Sequence, residues 1–173
     1  MNECCWIAVG FDIEKNSKIY KEVIMMNTFL TEKYSNTFVF SSLNIPHLNL
    51  FDFDIPCEII PLALKRLGEI AKKARRQKIV IKRVCAFPFG TIFIDVEKQH
   101  ELLTLHEKIV HALSPLKGEC VSNDYVRHWK DYTSEQKKLL KQYGSPHVLR
   151  RFIPHITLGH VKTDDLIKIC KEV

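Results

Sequence analysis

The chain has 173 residues, 46% hydrophobic and 27% charged, with a net charge of +6 and an isoelectric point near 9.0. These proportions are ordinary for a soluble globular protein, and the length suits one compact domain over residues 1–173 with a substantial core. No apolar run is long enough for a membrane-spanning helix, and the basic balance favours an anionic partner such as a nucleotide or RNA.

The opening residues Met1–Trp6 carry none of the pattern of a secretory signal. The six cysteines, at positions 4, 5, 57, 85, 120 and 170, are scattered and form no Cys-x-x-Cys pair. That spacing predicts buried reduced thiols, no zinc site and no disulfides, and hence a cytoplasmic protein.

In chain order, Trp6–Phe11 predicts a first strand, and Ile19, Val23, Met26 and Leu30 predict a helix after it. Thr37–Phe40 predicts a short strand and Ile45–Phe53 a longer one. Pro56 and Pro61 punctuate the entry to a helix whose apolar stripe is Ile60, Leu64, Leu67, Ala71 and Ala74. Its end is crowded by Lys72, Lys73, Arg75, Arg76 and Lys78, a cluster expected to be solvated and to complement the helix dipole. Ile79–Phe87 and Thr91–Val96 form a predicted hairpin broken at Pro88-Phe89-Gly90. A helix over 98–113 follows, its His100, His106 and His111 expected on the surface. The pattern then dissolves from Leu116 to Tyr132, and an insertion is expected near 116–149. Thr133 and Gln136 make a capping box for a short helix ending at Gly144. Phe152–Val161 predicts a strand, and Thr163-Asp164-Asp165 caps a last helix. The alternation predicts an α+β fold: a bilobal, duplicated sheet-and-helix arrangement with a central groove.

Two strand-like stretches stand out, Pro46-His47-Leu48-Asn49-Leu50 and Pro154-His155-Ile156-Thr157-Leu158. Side chains alternate along a strand, so His47 and Asn49 share one face and His155 and Thr157 share another. Imidazoles titrate near neutral pH, so a pair can supply one base and one acid for displacement at phosphorus. A Thr hydroxyl or an Asn amide can donate to phosphate oxygens between them.

Phe152-Ile153-Pro154-His155-Ile156-Thr157-Leu158-Gly159 resembles the second His-x-Thr motif of the 2H phosphoesterases, the superfamily of 2′-5′ RNA ligase-like proteins and cyclic phosphodiesterases. Phe89-Gly90 leading into Ile92–Val96 is similar to that family's glycine turn and apolar strand. The resemblance implies metal-independent hydrolysis of a 2′,3′-cyclic phosphate or 2′-5′ phosphodiester in a nucleotide or RNA, without a cofactor; a monomer is expected. It makes His47 and His155 the catalytic pair and Thr157 a phosphate contact. The first motif departs from the family in carrying Asn49 where Thr or Ser is usual. A non-catalytic nucleotide- or RNA-binding module of the same fold is the alternative.

Further substrate contacts are expected from other residues. Phe51 shares strand parity with His47, either stacking on a base or packing in the core. Trp129, beside Arg127 and Tyr132, either holds a nucleotide or belongs to an ordered surface loop. Arg151 shares the His155 face, reaching a phosphate or forming a surface ion pair.

Overall fold

The computed structural model describes residues 3–42, 44–74, 78–87 and 90–172. Arg75 and Arg76 of the basic cluster, and Pro88 and Phe89 of the hairpin break, lie outside these. The fold is α+β. Its elements are β1 (Cys4–Asp12), α1 (Lys18–Lys33), β2 (His47–Pro56), α2 (Ile60–Ala71), β3 (Ile81–Ala86) and β4 (Thr91–Val96). They continue with α3 (His100–Leu113), α4 (Asn123–Arg127), α5 (Ser134–Tyr143), β5 (His155–His160) and α6 (Thr163–Glu172). The five strands form one sheet in the order β1-β2-β5-β4-β3. None of the helices is long and apolar enough to cross a membrane, among the described residues.

Two compact units divide the chain, and neither is a sequence half. The first gathers residues 1–9, 49–78 and 98–153; the second gathers 10–48, 79–97 and 154–173.

In the second unit, β4 pairs antiparallel with both β3 and β5. Helix α1 begins where Ser17 accepts the Tyr20 N–H at 3.2 Å, the N-cap bond that satisfies one orphan donor. It packs on β5 with Val23 and Leu30 fully or nearly fully buried. The strand expected at Thr37–Phe40 does not form. Apart from the Thr37 N–H, which donates to the His160 carbonyl at 2.8 Å, its backbone is claimed by side chains instead of a ladder. Buried Asn27 donates to the Phe38 and Leu158 carbonyls at 2.6 and 2.7 Å and accepts from Phe40 N–H at 3.2 Å. Asn36 brackets Phe38, donating to its carbonyl at 2.9 Å and accepting from its N–H at 3.1 Å.

The first unit holds α2 against α3, with the Arg66 guanidinium donating to the Ala112 carbonyl at 2.7 Å. Between 116 and 149 it carries α4 and α5. The capping box of α5 is formed: Gln136 N–H donates to Thr133 Oγ1 at 3.2 Å and Thr133 N–H to Gln136 Oε1 at 3.0 Å. Gly144 ends that helix at φ 84°, a left-handed conformation that costs a glycine little.

The expectation of reduced thiols is overturned. Cys4 is bonded to Cys120 and Cys5 to Cys57, with Cα separations of 6.0 and 5.1 Å. Adjacent residues of a strand point to opposite faces, so the Cys4-Cys5 pair reaches two different partners. Four scattered positions are thus brought together by the fold, while Cys85 stays free. The expectation that all three α3 histidines lie on the surface fails for His106, which is fully buried.

Candidate active site

Strand β5 keeps the alternation read from sequence. His155 and Thr157 are half-buried, whereas Ile156 and Leu158 are 2% and 1% exposed on the other face. The entry to the strand is held by Val96, whose N–H donates to the Pro154 carbonyl at 3.1 Å. The register with β4 sets Asp95 opposite His155 and Phe93 opposite Thr157, so these four residues share one face. The Phe93 ring meets the His155 ring edge-on, with centroids 5.3 Å apart, and Phe87 does so at 5.9 Å. Phe87 and Phe93 stack on each other at 4.4 Å. The stacked pair of apolar rings thereby lines one side of the imidazole.

His47 is the first residue of β2, as His155 is of β5, and the sheet order makes these strands neighbours. His47 is half-buried. Its Nδ1 lies 2.8 Å from the Ile45 carbonyl, which can only accept, so Nδ1 carries the hydrogen. In that tautomer the lone pair lies on Nε2. Gly10 lies directly against this histidine. A Cβ there would sit 2.6 Å from the Leu48 carbonyl oxygen and 3.4 Å from the His47 ring, so only glycine admits this approach. His47, His155 and Thr157 all belong to the second unit.

The other expected contacts, Asn49, Phe51, Arg151 and Trp129, belong to the first unit. The Asn49 amide nitrogen donates to Asp52 at 3.0 Å, and Asn49 Oδ1 is buried without a partner among the described residues. In a regular strand, side chains three apart face opposite ways. The alternation of β2 therefore breaks between Asn49 and Asp52, where Leu50 and Phe51 are buried in succession. The parity that set Phe51 on the His47 face ends at that break. Its ring is 2% exposed and stacked on Phe53 at 4.4 Å, the core-packing alternative. The Arg151 guanidinium donates to Thr133 Oγ1 at 3.2 Å and lies 3.7 Å from Glu135, which also pairs with Arg150. Trp129 is half-buried beneath the ammonium groups of Lys137 and Lys141, 5.5 and 5.7 Å from its ring centre.

Sequence reasoning passed over Asp52 and Gly10. Asp52 was hidden by the assumption of unbroken alternation; Gly10 stands in the middle of an apolar strand, a placement that itself signals close backbone approach. Among the described residues, no group of three or more His, Cys, Asp or Glu is arranged to hold a metal ion.

The family model described as the 2′-5′ RNA ligase superfamily matches residues 33–173. No curated protein matches the chain.

Proposed function

Because the chain belongs to the 2′-5′ RNA ligase superfamily, we propose that it is a phosphodiesterase that opens a 2′,3′-cyclic phosphate or cleaves a 2′-5′ linkage in a nucleotide or RNA. The observation that carries this reading is the half-exposed His155–Thr157 face inside the matched region. In the proposed reaction His47 Nε2 takes a proton from water, and the resulting oxygen attacks phosphorus. The bond from phosphorus to the departing sugar oxygen breaks, and His155 gives that oxygen its proton. The Nδ1–H bond of His47 to Ile45 supports the base assignment, since it leaves the neutral ring's lone pair on Nε2. The Thr157 hydroxyl donates to a phosphate oxygen as charge builds on it. A sugar hydroxyl in place of water would turn the same step into 2′-5′ ligation.

The test is turnover of 2′,3′-cyclic nucleotides and 2′-5′ oligoadenylate in EDTA. Hydrolysis abolished by both His155→Ala and His47→Ala is the expected result. A wild-type protein that binds these nucleotides without converting them would instead be a binding module. That second reading draws on Asn49, which replaces a hydroxyl and gives an amide hydrogen to Asp52.

A further inference from the structure

The first-motif amide is not held alone. Asn49 Nδ2 donates to Asp52 Oδ1 at 3.0 Å, and the Tyr125 hydroxyl donates to Asp52 Oδ2. Ser145 Oγ lies 3.3 Å from the Tyr125 oxygen, and Ser145 is 2% exposed. A carboxylate only accepts, so the tyrosine's one hydrogen is spent on Asp52 and the serine must donate to the tyrosine. Burial, with the neighbouring Asp52 charge next in weight, holds the Tyr125 pKa well above its ordinary value and keeps that hydrogen in place. Every hydrogen in the chain of four thus points toward Asp52.

This directionality removes the usual freedom of a carboxamide to flip. Turning Asn49 over would set its carbonyl oxygen against the carboxylate. The observed orientation leaves Oδ1 buried and unpaired instead. Asn49 as a whole is only half-buried, so what it shows outward is not its acceptor. Its second Nδ2 hydrogen has no acceptor among the described residues.

We propose that Asp52 and Tyr125 are positioning residues that lock the Asn49 amide as a hydrogen-bond donor to substrate phosphate, replacing the hydroxyl usual at that motif. The inference rests on the phosphodiesterase reading above. It assigns Asn49 and Asp52 as a compensated pair: the amide is useful only while the carboxylate orients it, whereas a threonine at 49 would not need Asp52.

The probe is adenosine 2′-monophosphate, titrated into the 15N-labelled protein. Reporters are the Asn49 side-chain amide and the rings of His47 and His155. The expected result is that the nucleotide shifts the Asn49 amide and that Asp52→Asn weakens binding about tenfold, the weight of a hydrogen bond to a charged group. The same change made on an Asn49→Thr background should have no effect. Tyr125→Phe keeps the ring, removes one bond and should give a smaller loss in the same direction, which covers a failure of the Asp52 variant to fold. Histidine rings that respond while the Asn49 amide stays still would overturn the inference and leave the phosphodiesterase reading standing. So would an Asp52→Asn loss of equal size on both backgrounds, which marks a merely structural carboxylate. Silence from all three reporters would sink the reading and the inference together.

Discussion

Leu149 donates its backbone N–H to Nε2 of the fully buried His106 at 2.8 Å, and His106 Nδ1 donates to the Leu50 carbonyl at 2.7 Å. The imidazole lies flat on Phe152, with centroids 3.8 Å apart. It therefore joins β2 to the segment that leads into β5, within the first unit. Leu149 itself has φ 54°, the one non-glycine positive φ among the described residues. A bulky side chain disfavours that conformation, so the bond to His106 helps hold it.

The first prediction is a pH dependence of stability. Burial, as the largest cause, lowers the His106 pKa from 6.5 to about 4. The unfolded chain binds the proton more readily, so the neutral ring's contribution is complete above about pH 6.5 and drains away as pH falls toward 4. The shift corresponds to about 3 kcal/mol. Urea midpoints at pH 7.5 and 4.5 should differ by that order in the wild type. His106→Leu should be less stable at pH 7.5, with two buried backbone groups unpaired, and should show a much flatter pH response. An equal slope in both proteins would remove His106 as the cause.

The second prediction concerns Gly10. An alanine Cβ would fall 2.6 Å from the Leu48 carbonyl oxygen, a backbone atom that cannot swing aside. Relief requires β1 and β2 to part beside His47. Gly10→Ala should cost about 1–3 kcal/mol in unfolding free energy and should lower kcat on a cyclic nucleotide more than it raises KM. Wild-type turnover in a destabilised variant would show that His47 does not depend on this contact.

The third concerns the cross-links. The Cys5–Cys57 and Cys4–Cys120 bonds close loops of 52 and 116 residues, to which the chain-entropy model assigns about 4 and about 5 kcal/mol. Reduction should lower the melting temperature steeply. Cys57→Ser should do so even without reductant. Thiol titration of the unfolded, unreduced protein checks the premise, and six reactive thiols would refute it. The expectation of a cytoplasmic protein leaned on reduced cysteines, and the two disulfides remove that support.

Much of the secondary structure was legible because it rests on local rules. The bounds of β4 and the capping box at Thr133 follow from alternation and from the side-chain chemistry of adjacent residues. Thr37–Phe40 misled for a reason of the same kind in reverse. Its composition suits a strand, but Asn27, ten residues upstream on a helix, supplies the hydrogen bonds a neighbouring strand would have made. The shared half-buried face of His155 and Thr157 was readable from a motif within five residues. The Asn49 contact was not, because its partners Asp52, Tyr125 and Ser145 are drawn from β2, α4 and the turn after α5.

By itself, then, the sequence determined which faces of the strands are apolar, where helices start, and which two motifs carry histidines. These depend on period and on neighbours a few positions away. Only the tertiary structure decided that Cys4 and Cys5 are cross-linked, that His106 is a buried clasp, and that Asn49 is held by a carboxylate. Each of these needs groups that chain folding alone brings within bonding distance. It also needs burial, which removes water as a competing partner and so makes the partner's identity matter.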